Sequence, residues 1–336
     1  FAGSGNSRIS GTGPWSSMRS LVIEKNGGLS DSVFIETSSL CNFSSSSIKH
    51  FFEFYGGVLV QNTTATPNNL YISGFDLLPV SMNSNSGLSI FIGSVRSRGT
   101  ITTGANTIIH LRKGNFYVGE SHPLSTIYGS FIYNTGTTVK IDTGIFDVAR
   151  AFARAQTNST VDFTLQPDGI VKVNTVGSGS YDPTKIGFDI SNAGSSFTMT
   201  GGRIIVANAL GTSPSSFDFR VNAQNGSGMT GGTIQSGDTS LTPNNTIIKI
   251  GGTLPIKTLH FANSPSNAVT TQVAEQTLTI TGDWTIDANH TFNLNGNTVV
   301  FGGNLTNYGS FVGSPTGPTS DSWLLELNGN GNQTFF

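Results

Sequence analysis

The sequence predicts an all-β fold, a parallel β-helix (β-solenoid) of about twelve coils that runs as one continuous domain over residues 1–336, and three observations carry that expectation. The first is composition: Gly, Ser, Thr and Asn occupy 42, 42, 41 and 30 of 336 positions, almost half the chain. These are poor helix formers, so a helical bundle is excluded. The second is the apolar minority. Aromatics reach 10%, with 23 Phe, and net charge is only −2, which is the reverse of a disordered chain. The third is a pattern that recurs from end to end: apolar, any, apolar, a turn containing Gly, then a second alternating apolar segment.

Taken in order, the pattern is read at Phe52 and Phe54 before Gly57, with Val58 and Val60 after it. It returns at Ile109 and Leu111 around Gly114, with Phe116 and Val118 beyond, then at Val139, Ile141, Gly144 and Ile145, and at Phe163, Leu165, Gly169, Ile170 and Val173. Further copies are Phe197, Met199, Gly202, Ile204 and Val206; Met229, Gly232 and Ile234; Ile248, Ile250, Gly252 and Leu254; Leu278, Ile280, Gly282, Trp284 and Ile286; and Leu325, Leu327 and Gly329. Looser copies turn at Gly28, Gly87 and Gly302. The mean step between these glycines is about 27 residues, within the range of solenoid repeats. Each copy reads as two short strands joined at a bend, with alternate apolar residues inward and Thr or Lys outward. One coil cannot bury its apolar face alone, and stacking the coils builds a common core.

Tandem β-sandwich domains of about 100 residues are the alternative architecture, since regular short strands suit both. No stretch reads as an interdomain linker, and no Trp, Cys and Tyr-corner framework appears. Only Val148–Ala155 has local helix propensity, and 148–156 is expected to be a loop excursion or a single helical turn between coils.

Charge and cysteine limit partners. With 17 basic and 19 acidic residues the chain as a whole carries no footprint for nucleic acid or an anionic membrane. No apolar run approaches the roughly 18 to 20 residues of a membrane helix. The lone Cys41 has no internal disulfide partner and is expected to be a packed core thiol. The chain opens on Phe-Ala-Gly-Ser-Gly without the marks of a signal peptide, and is expected to be an internal piece of a longer polypeptide whose flanking segments are its immediate partners.

The stretch Leu278–Ile286, the run Asn293–Phe311 and the ending Leu327–Phe335 contain the phrases Gly282-Asp283-Trp284-Thr285, Thr298-Val299-Val300-Phe301-Gly302-Gly303 and Gln333-Thr334. In that order they resemble the Gly/Asn/Thr-rich β-helical repeats of very large cell-surface proteins of Bacteroidota, of the kind exported by type IX secretion. The resemblance covers residues 278–336; elsewhere only period and composition are shared. It implies an extracellular, cell-surface location, an adhesin or gliding-motility role, and contact with secretion or surface-anchoring machinery. The sorting domain diagnostic of that export route is absent from the sequence. Asp31-Ser32-Val33 also resembles the O-glycosylation acceptor of that phylum, although an exposed turn accounts for it as well.

Parallel β-helices carry polysaccharide lyases and hydrolases as well as passive adhesins, so the fold does not decide function. Catalysis on such a fold needs carboxylates close together on adjacent coils. The outward position between the first two apolar residues of each copy reads Glu53, Ser81, His110, Lys140, Thr164, Thr198, Lys249, Thr279 and Glu326, with no adjacent acids. Asp142 with Asp147 and Asp182 with Asp189 are the nearest acid groupings, and Asp142 and Asp182 read as turn formers before Gly and Pro. His50, His110, His122, His260 and His290 lack metal-site spacing and are expected to be solvated or in turns; regular calcium ladders lack their Asp, and no cofactor is expected.

Surface glycans are the remaining candidate ligand. Tyr55, Tyr117, Tyr128 and Trp323 are the glycan-contact candidates, with Tyr71, Tyr133 and Trp15 as further rings. The Asn-rich turns from 289 to 307 are expected to form stacked side-chain ladders. The preferred function is a non-enzymatic extracellular structural or adhesive segment of a large bacterial surface protein. A polysaccharide-active enzyme or a tailspike-like glycan-binding protein is the alternative, and a secreted substrate caught with its export machinery is a third.

Overall fold

The computed structural model describes residues 1–11, 21–37, 41–42, 52–61, 69–71, 80–91, 94–97, 99–119, 129–174, 187–208, 217–222, 226, 228–238, 247–262, 269–275, 277–313, 324–329 and 334. Their tertiary contacts divide the chain into two compact units, the first being Phe1–Val171 and the second beginning at Lys172. Each is a stack of β-strands paired in parallel, and the chain is a parallel β-helix. Parallel ladders exclude the sandwich alternative, whose sheets are antiparallel.

In the first unit one column of strands comprises Ser7–Gly11, Ser32–Thr37, the later half of Phe52–Gln61, Ser86–Ile90, Ile108–Leu111 and the earlier half of Thr137–Val148. A second column stacks Cys41–Asn42, Asn69–Tyr71, Ser94–Ser97, Asn115–Val118 and the later half of Thr137–Val148. A third stacks Val80–Ser81, Ile101–Thr102, Phe131–Tyr133 and Phe152–Arg154. The coil is therefore three-sided: the two strands joined at a bend in the sequence pattern are followed by a short third strand that the pattern does not show. Gly87 lies opposite Val58 and Ile108, and Val139 opposite Ile109, so coil length varies while register holds. Only three residues separate Ser97 from Ile101, whereas twelve separate Val118 from Phe131, so the variation falls in the connections.

Two expectations are corrected here. Residues 148–156 are not an excursion: Phe152–Arg154 is a strand of the third column, paired with Phe131–Tyr133, and Ala151, Phe152 and Ala153 are buried. Burial overrides the weak helix propensity of the Ala and Arg residues there. The turn glycines also do not form one column. Gly114 and Gly144 stack at the bend between the first and second columns, where a Cβ on Gly144 would meet Gly114 O at 2.2 Å. Gly57 stands instead opposite Ser86 at the entry to the first column, and Gly87 lies within a strand.

That entry corner has its own repeated conformation. Asn85, Asn106 and Gly136 have φ of 58°, 55° and 75°, so successive coils turn through the left-handed region. Asn and Gly are the residues that reach it at least cost. Asn106 Nδ2 donates to Asn85 Oδ1 at 3.4 Å, and a Cβ on Gly136 would meet Asn106 Oδ1 at 2.4 Å.

The second unit repeats the three-sided plan. One column stacks the early part of Ser196–Val206 on that of Gly228–Ser236, and higher up stacks Thr277–Ile280, Thr298–Phe301 and Leu324–Leu327. A second continues from the later parts of those long strands through Leu259–Phe261, Trp284–Ile286 and Leu305–Asn307. The third stacks Phe188–Ile190, Phe219–Val221, Ile247–Gly252, Val269–Val273, His290–Asn293 and Ser310–Val312. Gly252 pairs with Val221 in this third column, so its place beside Gly232 in the sequence alignment is corrected. Gly232 stacks over Gly201, and Gly303 over Gly282, at the bend between the first two columns.

Cores form as the alternation predicts, by stacking like residues in register. Phe116 lies over Phe146 at 5.1 Å and Phe131 over Phe152 at 5.2 Å, with the two stacks meeting edge to face. In the second unit Trp284 is buried among Phe261, Phe292, Phe301 and Phe311. Each such aromatic contributes roughly 1.5–3 kcal/mol by burial. Each aromatic pair adds about 0.5–1.5 kcal/mol more. Among the described residues no helix is long and apolar enough to cross a membrane.

Candidate functional site

Two of the four predicted glycan-contact residues fall among the described ones. Tyr55, in the strand Phe52–Gln61, is 52% exposed, as an outward ring should be. Tyr117, in Asn115–Val118, points outward between buried Phe116 and Val118, but the Arg96 guanidinium lies 4.1 Å from its ring centroid and covers one face. The two tyrosines belong to different columns. Tyr128, Trp323 and Trp15 lie outside the described residues, as do the side chains of Tyr71 and Cys41. Tyr133 is corrected to a core residue: it is fully buried, 5.5 Å from Phe152.

The outward row read from the sequence holds only locally. His110 and Lys140 are neighbours, but the residue beneath His110 is Ser89, and Ser81 and Lys249 stand in the third columns of their units. The first column of the first unit therefore presents Ser89, His110 and Lys140 in one outward row and Phe91, Arg112 and Asp142 in the next.

Histidines and acids turn out to be coil-to-coil partners. His110 Nε2 donates to Asp142 Oδ2 at 2.8 Å, and Lys140 Nζ lies 3.3 Å from Asp142 Oδ1. Burial lowers the His110 pKa, and the Asp142 hydrogen bond offsets part of that. Burial pushes Asp142 upward, but the hydrogen bond and charge of His110, with those of Lys140, bring it below its ordinary value. His260 Nε2 meets Asp287 Oδ2 at 3.0 Å by the same diagonal step, since its register partner is Thr285, two residues short of the acid. Asp142 is thus a strand residue and an inter-coil acceptor, which corrects its reading as a turn former; Asp182 lies outside the described residues.

His290 is corrected as well. It is buried, its Nδ1 donates to Ala262 O at 3.0 Å, and its Nε2 accepts from Thr271 Oγ1 at 2.7 Å. Thr271 Oγ1 lies 2.7 Å from Ser236 Oγ, so the hydroxyls and the ring form a buried chain across three coils. Burial lowers the His290 pKa to about 4. The ring also stacks on Phe261 at 5.2 Å. His50 and His122 lie outside the described residues.

One cluster was not visible in the sequence. On the third column of the second unit, Arg220 stands in register with buried Asp189, pairs with Glu275 at 2.8 Å and lies 4.7 Å from the Phe217 ring centroid. Glu275 Oε2 also accepts from Gly252 N at 2.7 Å, and buried Asp218 accepts from Lys249 N at 2.7 Å. Burial lowers the Lys249 pKa, against the charge of Asp218. These residues are 31 or more positions apart between Asp189, Arg220 and Gly251, so only the coil register brings them together. Their carboxylates hold backbone amides and a guanidinium of adjacent coils, which is stacking chemistry.

The Asn-rich turns support the coil through backbone bonds more than through amide ladders. Asn289 and Asn295 take left-handed corners at φ 62° and 52°, and Asn297 Nδ2 donates to Val273 O at 3.0 Å. Asn304 is held by Asp283 Oδ1, the side chain one coil below. Asp31 is buried and accepts from Gly27 N at 2.9 Å, and Ser32 and Val33 open the strand Ser32–Thr37, so this segment is a strand entry rather than an exposed turn. Among the described residues no three His, Cys, Asp or Glu side chains gather as a metal site. Compared with protein families, curated proteins and solved structures, the chain matches none.

Proposed function

We propose that this chain is a non-catalytic structural and adhesive segment of an extracellular bacterial surface protein. One observation supports the reading above others: the outward polar side chains are used to tie coil to coil. Arg8 bonds Glu36, Arg203 bonds Gln235, Lys172 pairs with Asp238 and Arg220 with Glu275, in addition to the two His–Asp pairs. Such partners lie 27 to 66 residues apart in sequence, so each bond joins successive or nearby coils. Groups committed in this way hold a stack together, whereas a hydrolase needs one acid and one base left addressable by substrate. The resemblance of residues 278–336 to Bacteroidota surface repeats points to the same role.

The test has two arms. Purified chain is incubated with a panel of acidic and neutral polysaccharides, and release of reducing ends or unsaturated products is measured; none is expected, and cleavage of any polymer contradicts the reading. Brief proteolysis of intact producing cells should remove the protein, and full protection in intact but not lysed cells contradicts a surface location.

A further inference from the structure

The inter-coil pairing leaves an exception, and it is concentrated in one place. Residues 94–154 hold seven of the chain's 17 Lys and Arg but three of its 19 Asp and Glu. In the first unit Arg96, Arg112, Lys113 and Lys140 stand at or near the bend between the first and second columns. Arg112 and Lys113 occupy that bend and are exposed, and among the described residues neither has an ion-pair partner. Arg112 lies 4.6 Å from the ring centroid of Phe91, each following the register pair Leu111 and Ile90, and Arg96 stacks on Tyr117 around the corner. Laid flat on the Phe91 ring, the Arg112 guanidinium is held in place while its edge N–H groups face outward. Lys140, 44% exposed, adds a cation one coil above.

We propose that this corner binds an acidic polysaccharide, a polymer of uronic-acid type, along the stacking direction. The proposal rests on the adhesive reading above and names its ligand class. Successive coils repeat at the strand spacing of about 4.8 Å, close to the length of one sugar ring, and Arg96, Arg112 with Lys113, and Lys140 stand on three successive coils. Asp142 and Asp147 are interleaved among the cations, in register with or beside Arg112 and Tyr117. Carboxylates in that position accept hydroxyl donors, which a uronic-acid polymer carries on every ring and the duplex DNA backbone does not. That favours a hydroxyl-rich polyanion over nucleic acid, whose binding scales with the number of phosphates neutralised. Phe91 and Tyr117 supply apolar ring edges for the sugar faces beside the guanidinium groups.

The experiment uses the whole chain and polygalacturonate as probe, with dextran, duplex DNA and anionic phospholipid vesicles as comparators, read by titration calorimetry at low and high salt. Wild type should bind polygalacturonate, more weakly as salt rises, and dextran at least tenfold less. Arg112→Gln with Lys113→Gln should weaken binding at least tenfold, while Arg8→Gln with Lys257→Gln, the same loss of charge elsewhere, should keep it. Thermal midpoints of both double variants confirm that they are folded. No binding by wild type, equal binding by the corner variant, or tighter binding to DNA or vesicles than to polygalacturonate overturns the proposal. Polymer length is measured in the same samples: shortening contradicts the non-catalytic reading, whereas lost binding with intact polymer contradicts the ligand assignment alone.

Discussion

His290 accepts a hydrogen bond from Thr271 inside the second unit, Nε2 to Oγ1 2.7 Å, while its Nδ1–H is spent on Ala262 O. The carbonyl can only accept, so Nδ1 carries a proton, and with the pKa lowered by burial to about 4 the ring is neutral at pH 7 and Nε2 accepts. Thr271 therefore gives its proton to His290, and Ser236 gives its own to Thr271. A second proton on the ring would turn Nε2 into a donor and break the order of the chain.

That arrangement fixes a pH dependence. The folded-state pKa of His290, lowered by burial to about 4, lies below the value of roughly 6.5 of an unfolded histidine. The unfolded chain then binds more protons between those values, so stability from this group is full above pH 6.5 and falls as pH drops towards 4. The loss is on the order of 3 kcal/mol at about 1.4 kcal/mol per pKa unit. Chemical denaturation from pH 7 to pH 4 should show this decline in wild type. His290→Gln should be less stable at pH 7 and lose most of the slope; an unchanged slope in the variant refutes the assignment.

The bend at Gly144 should tolerate no side chain. Its φ is 92°, and an added Cβ would lie 2.2 Å from Gly114 O, a backbone atom with no room to yield. Gly144→Ala should therefore cost more than about 2 kcal/mol. Asn106→Gly, at a left-handed corner where Asn is already tolerated, should change stability by under about 1 kcal/mol. Equal costs for the two changes, read from urea midpoints, contradict the corner geometry.

Trp284 supplies a different contrast. It is fully buried, and its Nε1–H has no acceptor among the described residues. Trp284→Phe removes an unmatched donor, which offsets the smaller ring, and should change stability by no more than about 1.5 kcal/mol. Trp284→Ala leaves a cavity between Phe261, Phe292 and Phe301 and should cost about 3–5 kcal/mol. Similar losses for both would show that the indole N–H is satisfied.

The exposed Arg8–Glu36 pair, at 2.8 Å, tests how much one outer tie contributes. Arg8 is 65% exposed, so Arg8→Ala should cost less than about 1 kcal/mol, and that small loss should shrink further at high salt. The ties between coils set register by their number rather than by individual strength.

What was legible in the sequence, and what was not, follows from range. Inward alternation at Phe197, Met199, Ile204 and Val206 is a local property of each strand, and all four are buried. The bend at Gly114 and Gly144 was legible because a close backbone approach admits no other residue. The third column was not, because its strands Ile101–Thr102 and Phe131–Tyr133 are too short to show a period. The partners of His110, His260 and Arg220 were not either. They stand on other coils, and only register, which varies from coil to coil, says which residues meet. The charge excess over residues 94–154 was present in the sequence but hidden by the whole-chain balance of −2.

The stacking of coils is tested most directly by cross-linking across them. Thr285 and Thr306 stand in register on neighbouring coils of the second unit, at a parallel-strand spacing that a disulfide spans. In a chain with Cys41→Ser, Thr285→Cys with Thr306→Cys should oxidise to a monomeric disulfide and raise the thermal midpoint. Thr285→Cys with Thr298→Cys, on a different column, should stay reduced. Efficient closure of the second pair, or failure of the first, would contradict the parallel β-helix register on which every assignment above depends.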